Sequence, residues 1–124
     1  MGAIIDPVFH EANMGRAAVW HKGKPWTLER WFTAFVGEVG ELGNVLKKNF
    51  RILDDLPNKN PDDARLLDDR AKVRLAVAME LADVFTYFDI LRAECEREFD
   101  LNFDWAVSSK FNKVSEMYGM EWFV

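Results

Sequence analysis

Apolar residues recur every three or four positions through each long segment of this chain, and the breaks between segments are rich in helix-capping and turn residues. This spacing places the apolar side chains on one face of an α-helix, whereas a half-buried strand would alternate them. No run of the sequence reads as a pair of strands. The pattern therefore predicts an all-α fold that resembles a four-helix bundle.

Capping residues, prolines and glycines define the predicted helix boundaries. Asp6-Pro7 begins the first helix, which ends near Trp20, and Thr27 caps the second, which continues to about Phe50. The later boundaries are Asn60-Pro61 for the start of the third helix, a break near Asp68-Asp69, an end near Phe99, a cap at Asn102 and a stop at Gly119. The glycines Gly37, Gly40 and Gly43 each cost about 1 kcal/mol of helix propensity. We therefore expect a neighbouring backbone or a ligand to come close to that helix.

Length and composition bound the class of protein. The chain has 124 residues, 49% hydrophobic and 30% charged, which predicts a single folded domain over residues 1–124. A net charge of -5 argues against a nucleic-acid binder. It does not exclude a phosphate-bearing ligand, because a bound divalent metal would make the local charge positive. Five Trp and ten Phe are many for this length, and we expect some of them at a subunit interface or against a ligand.

The sequence also predicts where the protein acts. The chain has one cysteine, Cys95, so it cannot form an intramolecular disulfide, and this suits a reducing cytoplasm. We expect Cys95 to be a small side chain that packs against its neighbours. The first residues lack the pattern of a signal peptide, and no stretch is apolar for long enough to span a membrane. We therefore expect a cytoplasmic protein with no membrane partner.

Two pairs of carboxylates carry the functional prediction. Glu38 and Glu41 are three residues apart on the second helix, and Glu80 and Asp83 are three apart on the third. On a helical wheel of about 100° per residue, Glu80 falls inside an apolar stripe, with Glu38 at the edge of another. An acid inside such a stripe needs a basic side chain, a proton or a metal as its partner. Four carboxylates and water form an oxygen shell suited to Mg²⁺, with Mn²⁺ as a substitute.

Basic residues show a related anomaly. Lys110 lies in the centre of the apolar stripe of the fourth helix, and it either binds phosphate or forms a structural salt bridge to one of the acids. Lys48 lies near the Glu41 side of the second helix and could reach a phosphate tail, although lysines at a helix end also suit the dipole.

At three places the sequence resembles the MazG-like all-α NTP pyrophosphohydrolases, in particular the short bacterial and phage members. These places are Trp31 to Lys48 (WFTAFVGEVGELGNVLKK), Glu80 to Leu91 (ELADVFTYFDIL) and the run from Lys110 to Glu116 (KFNKVSE). The resemblance implies Mg²⁺-dependent hydrolysis of a nucleoside triphosphate (NTP or dNTP) to the monophosphate and pyrophosphate. It also implies assembly as a homodimer or homotetramer.

The same resemblance assigns residues. Metal-binding and catalytic roles fall on Glu38, Glu41, Glu80 and Asp83, and substrate-binding roles fall on Tyr87, Lys110 and Asn112. Lys48 joins the substrate-binding residues because of its position on the helical wheel and not through the resemblance. Glu41 lies furthest from the apolar stripe, so we expect it to orient or deprotonate the attacking water. The candidates for stacking on the base are Trp20, Trp26 and Trp31, with packing in the core or at an interface as the alternative role for each.

Two other readings remain open at this point. Di-iron bundle proteins need Glu-x-x-His pairs, whereas His10 and His21 both lie outside the acid motifs. We expect both histidines to be surface or loop residues without a role. The second alternative is a non-enzymatic helical interaction module whose acids form salt bridges with Lys110, Arg74 or Arg92.

Overall fold

The computed structural model describes residues 1–63 and 69–124. These residues are helical wherever they form regular structure and contain no strand, which confirms the prediction of an all-α fold. The long helices, in chain order, are α1 (Pro7–Trp20), α2 (Leu28–Leu53), α3 (Arg70–Phe99) and α4 (Phe103–Met117). None of the helices in the described ranges has both the length and the apolar content that a membrane crossing requires.

Side-chain caps fix the starts of α1 and α4 where the sequence predicts them. Asp6 Oδ1 accepts a hydrogen bond from the Val8 amide at 2.7 Å, and Pro7 occupies the first helical position, where no amide hydrogen is needed. Asn102 Oδ1 accepts from the Trp105 amide at 2.9 Å. Gly119, at φ +63°, ends α4 in a left-handed conformation that costs glycine little.

The second helix extends three residues beyond the predicted end at Phe50. Asp55 takes φ +54° after the last turn, and the Leu56 amide donates to the Arg51 carbonyl at 2.7 Å. This pattern closes a helix in the way that a terminal glycine does, and aspartate tolerates the left-handed region better than most residues. The true stop signal is therefore an aspartate inside a segment that reads as a loop.

The start of the third helix lies partly outside the described residues. Asn60 Oδ1 accepts from the Asp62 amide at 3.0 Å, as a cap at Asn60 predicts. The described part of α3 begins at Arg70, where Asp69 Oδ1 accepts from the Lys72 amide at 2.8 Å. A break was predicted at Asp68-Asp69. Asp68 belongs to the segment 64–68, which lies outside the described ranges.

The chain forms two compact units, which we call the terminal unit and the central unit. The terminal unit comprises Met1–Leu28 and Asp89–Val124, and the central unit comprises Glu29–Phe88. Ile5 and Ile90 are buried in the terminal unit, and Trp31 is buried in the central unit. The central unit consists mainly of α2 and the first part of α3, where the Phe35 and Phe88 ring centroids are 6.0 Å apart. A single domain over residues 1–124 stays a prediction.

Candidate metal centre

The central unit brings the four predicted carboxylates together. Ligand atoms of Glu38, Glu80 and Asp83 all lie within 4.8 Å of one another. Glu41 lies near enough to both Glu38 and Glu80 for its charge to raise the pKa of each. Two acids come from α2 and two from α3, so the cluster depends on how these helices pack and not on either helix alone.

Each of the two helices has one protected side, and Glu80 and Glu38 lie on those sides. Glu80 is half-buried between Val77 and Val84, which are half-buried on the same side of α3. On α2, Glu38 is half-buried on the side that also carries Leu42 and Val45. Ring contacts between the two helices continue this packing beyond the acids. Glu38 therefore lies on the protected side of its helix, deeper than its place at the edge of the predicted stripe suggested.

Two carboxylate oxygens in the cluster are buried and have no hydrogen-bond partner. They are Glu38 Oε2 and Glu80 Oε2. A buried carboxylate oxygen without a partner costs free energy of folding, because it has lost water and gained nothing in exchange. Either a proton or a cation relieves that cost, and the exposed Glu41 and Asp83 leave one side of the cluster open to solvent.

Burial and mutual repulsion act on protonation in the same direction. Burial raises the pKa of Glu38 above its usual range, and repulsion from Glu41 raises it further. Burial likewise raises the pKa of Glu80, with added repulsion from Glu41 and Asp83. Both effects disfavour the charged carboxylates in the absence of metal, so a proton and a divalent cation would compete for these oxygens.

These shifts predict how stability depends on pH and on metal. Because the pKa values of Glu38 and Glu80 are raised in the folded state, their contribution to stability is fully present below the ordinary glutamate pKa of about 4.3. It is lost as the pH rises through the raised values. We expect the midpoint of thermal unfolding without metal to fall over this range, and millimolar Mg²⁺ to restore it. Differential scanning calorimetry at several pH values, with Mg²⁺ or EDTA, tests this. A midpoint that Mg²⁺ leaves unchanged at pH 7.5 would contradict the prediction.

Two of the predicted substrate residues lie in the central unit with the acids. Tyr87 is half-buried on α3, and its ring is tilted against Trp31 with centroids 6.2 Å apart. Lys48 lies near the end of α2, where its Nζ is 3.5 Å from Asp63 Oδ1. The salt bridge holds the Lys48 amine close to the segment after α2, so a phosphate would have to compete with Asp63 for it.

The other two belong to the terminal unit. Lys110 is exposed and not a core residue; it lines an open groove of about 620 Å³ whose other walls include Val107, Phe111, Val114 and Trp122. Val107 and Val114, the two apolar residues nearest Lys110 in the predicted stripe, therefore face this groove. Asn112 binds the backbone of Val124 twice, donating to its carbonyl and accepting from its amide, each at 2.9 Å. Both substrate roles stay predictions.

The three candidate stacking tryptophans differ in accessibility. Trp31 is buried and packs in the core of the central unit. Trp20 is exposed, but the Arg16 guanidinium lies 5.0 Å from its ring. Trp26 is half-buried, with its ring edge-on to His21 at 4.4 Å.

The terminal unit contains a polar cluster that sequence reasoning missed. Asp89 is completely buried, and its carboxylate accepts hydrogen bonds from His10 Nδ1 at 2.9 Å, Asn13 Nδ2 at 3.0 Å and Arg92 Nη2 at 2.8 Å. The prediction that His10 is a surface or loop residue without a role is therefore wrong. The only sequence signal is a pair of polar residues three apart on each of two helices, which is common on solvated surfaces.

The partners of Arg92 bear on the predicted salt bridges. Arg92 binds Asp89 and Glu96, at 2.8 and 2.5 Å, and so does not neutralise any of the four clustered acids. The Glu96 carboxylate also accepts from the Phe103 amide at 2.9 Å, which ties α3 to the start of α4.

No family model, curated protein or solved structure matches the chain.

Proposed function

We propose that this chain is a Mg²⁺-dependent pyrophosphohydrolase of nucleoside triphosphates, of the MazG-like type. The observation that carries the proposal is the pair of buried carboxylate oxygens, on Glu38 and Glu80, that have no hydrogen-bond partner among the described residues. They belong to a cluster with Asp83, and Glu41 is near enough to repel both. A cluster that served only as a structural salt-bridge network would pair these oxygens with basic side chains. Here the partner has to come from outside the described residues.

The residues present fit a hard divalent cation. Glu38, Glu80 and Asp83 would hold Mg²⁺, or Mn²⁺ in its place, through carboxylate oxygens with water completing the shell. When bound, the metal neutralises the triphosphate and stabilises charge that develops on the phosphorus under attack. Glu41 is exposed and close to Glu38 and Glu80, which suits it to orient a water molecule and accept its proton. That water adds across the bond between the α- and β-phosphates, releasing monophosphate and pyrophosphate.

Cationic and aromatic side chains would bind the rest of the substrate. Lys48 and Lys110 supply positive charge for phosphate oxygens, and the Tyr87 ring supplies an apolar surface. Asn112 is the least suited of the proposed substrate residues, because the backbone of Val124 already engages both ends of its amide.

The proposal includes assembly and location. We propose that the MazG-type bundle is completed by a second copy, as a homodimer or homotetramer, because many large apolar side chains remain exposed. We further propose that the protein acts in the cytoplasm, which suits its free thiol at Cys95.

Pyrophosphate release from a panel of NTPs and dNTPs, with Mg²⁺ and with EDTA, tests the proposed activity. We expect Mg²⁺-dependent release from one or a few members, with the monophosphate as the second product. Release of inorganic phosphate in place of pyrophosphate would assign a different reaction. If no nucleotide is hydrolysed and none raises the unfolding midpoint with Mg²⁺, the interaction-module alternative takes its place.

Lys110→Ala separates substrate binding from metal binding. We expect it to weaken nucleotide affinity by about 10- to 100-fold, since one charge-assisted hydrogen bond contributes roughly 1.5–3 kcal/mol. Mg²⁺ affinity measured without nucleotide should change little. Isothermal titration of both ligands tests this, with Lys113→Ala, an exposed lysine on the same helix, as the matched control. Weaker Mg²⁺ binding with unchanged nucleotide binding would give Lys110 a structural role.

A further inference from the structure

The segment that follows α4 folds back along that helix. At the turn that ends α4, the Met120 amide donates to the Ser115 carbonyl at 2.9 Å. Further along the chain, the backbone of Val124 bonds to the side chain of Asn112, which precedes Ser115 on the helix. Residues 118–124, which we call the strap, therefore run antiparallel to α4. Hydrogen bonds between described residues hold the strap to α4 at these two places.

The contact at Asn112 uses both ends of its side-chain amide on a single residue. Asn112 Nδ2 donates to the Val124 carbonyl and Asn112 Oδ1 accepts from the Val124 amide, each at 2.9 Å. A side-chain amide has two donor hydrogens and two lone pairs on its oxygen, but a donor and an acceptor lie side by side on only one edge. Val124 occupies that edge. A ligand that needs both atoms must therefore displace Val124.

A nucleobase would use the same edge of Asn112. Bases offer a donor beside an acceptor, and asparagine pairs with adenine, for example, through both atoms of its side-chain amide. The backbone amide and carbonyl of Val124 are likewise one donor and one acceptor. Val124 and a base therefore compete for Asn112, because the same two atoms cannot bind both at once.

The strap also borders the other substrate residue that we propose for the terminal unit. Met120 and Trp122, both in the strap, line the groove that contains Lys110. Every residue that lines this groove belongs to α4 or to the strap. The strap thus lies beside Lys110 as well as on Asn112.

We propose that the strap is an autoinhibitory contact: it occupies the substrate-binding edge of Asn112, and a nucleoside triphosphate binds there only after the strap has left. This inference rests on the proposed function, since it takes Asn112 as a substrate residue. The two hydrogen bonds at Asn112 are exposed, so their release costs little and a bound nucleotide can drive it. The apparent nucleotide affinity equals the intrinsic affinity multiplied by the fraction of molecules whose strap is released.

Val124→Pro frees the strap without changing Asn112. Proline has no amide hydrogen, so the bond to Asn112 Oδ1 is lost, whereas the matched control Val124→Ala keeps that hydrogen. We expect Val124→Pro to bind nucleotide about 3- to 10-fold more tightly than the natural sequence, and Val124→Ala to bind it equally. Isothermal titration with Mg²⁺ and α,β-methylene analogues of the NTPs and dNTPs, which resist the proposed hydrolysis, measures this.

Labelling with ¹⁵N-valine follows the strap directly by NMR. The Val124 amide signal is identified by its absence from Val124→Ala. Without nucleotide, we expect this amide to exchange with water several-fold more slowly than in Asn112→Ala, whose side chain cannot accept its hydrogen. Saturating the natural sequence with an analogue and Mg²⁺ should raise the exchange rate to that of Asn112→Ala.

The other outcomes separate this inference from the proposed activity. A bound analogue that leaves the Val124 amide protected would overturn the strap proposal and leave the activity intact. Equal or weaker nucleotide binding in Val124→Pro would overturn it too, and weaker binding would mean that the strap positions Asn112 for substrate. If no analogue binds to any of these proteins and no nucleotide is hydrolysed, the proposed function fails and the inference fails with it.

Discussion

Glu80→Gln is expected to abolish Mg²⁺-dependent pyrophosphate release and to raise the unfolding midpoint of the metal-free protein by a few degrees. Activity falls because the neutral amide is a poor ligand for Mg²⁺, and we expect a loss of at least about 100-fold, as when one electrostatic contact to a transition state is removed. Stability rises because the substitution removes an anion that burial and the charges of Glu41 and Asp83 disfavour.

The two readouts distinguish a metal ligand from a structural acid. Hydrolysis rates and calorimetry without metal are measured on the same preparation, and Glu11→Gln, an exposed acid on α1, is the control. Near-normal hydrolysis in Glu80→Gln would remove Glu80 from the metal site. A lowered midpoint in the absence of metal would show that the carboxylate stabilises the fold.

Asp89→Ala is expected to destabilise the protein by about 3–5 kcal/mol, the usual result of deleting one member of a buried charge cluster. The variant would take one of two carboxylate partners from the half-buried Arg92, leaving Glu96, and would remove an acceptor that His10 and Asn13 share. Urea unfolding at pH 7, followed by circular dichroism, measures the loss. Asp54→Ala, at an exposed aspartate after α2, should change stability by less than about 0.5 kcal/mol.

The pH dependence of this effect follows from the same contacts. Burial alone raises the pKa of Asp89, but the hydrogen bonds from Asn13, Arg92 and His10 outweigh it and hold the pKa below its usual range. The contribution of Asp89 is therefore present above the ordinary aspartate pKa of about 3.9 and is lost as the pH falls through the lowered value. We expect the natural sequence and Asp89→Ala to converge in stability in that acidic range. A difference that does not shrink at all down to the lowest pH at which the natural sequence stays folded would contradict this account.

Helix boundaries show how far local chemistry reaches. The starts at Asp6-Pro7 and Asn102 and the stop at Gly119 were predictable, because a cap acts on residues within one turn of itself. The end of α2 was missed by three residues, because Asp55 adopts a left-handed conformation that its identity permits but does not require.

The candidate site was likewise predictable only in part. Two acids three residues apart share a helix face by geometry, so each pair was predictable from its own segment. Glu80 in the middle of an apolar stripe also indicated burial, which the structure shows. The stripe around Lys110 was misleading, because it faces an open groove and leaves the lysine exposed.

By itself, then, the sequence determined the helical class, most helix ends and the pairing of acids within each helix, since these depend on neighbours along the chain. Only the tertiary structure decided that the two pairs meet, which oxygens lack a partner, and that His10 joins a completely buried Asp89. His10 and Asp89 are 79 positions apart, and contacts at such separations depend on how whole helices pack.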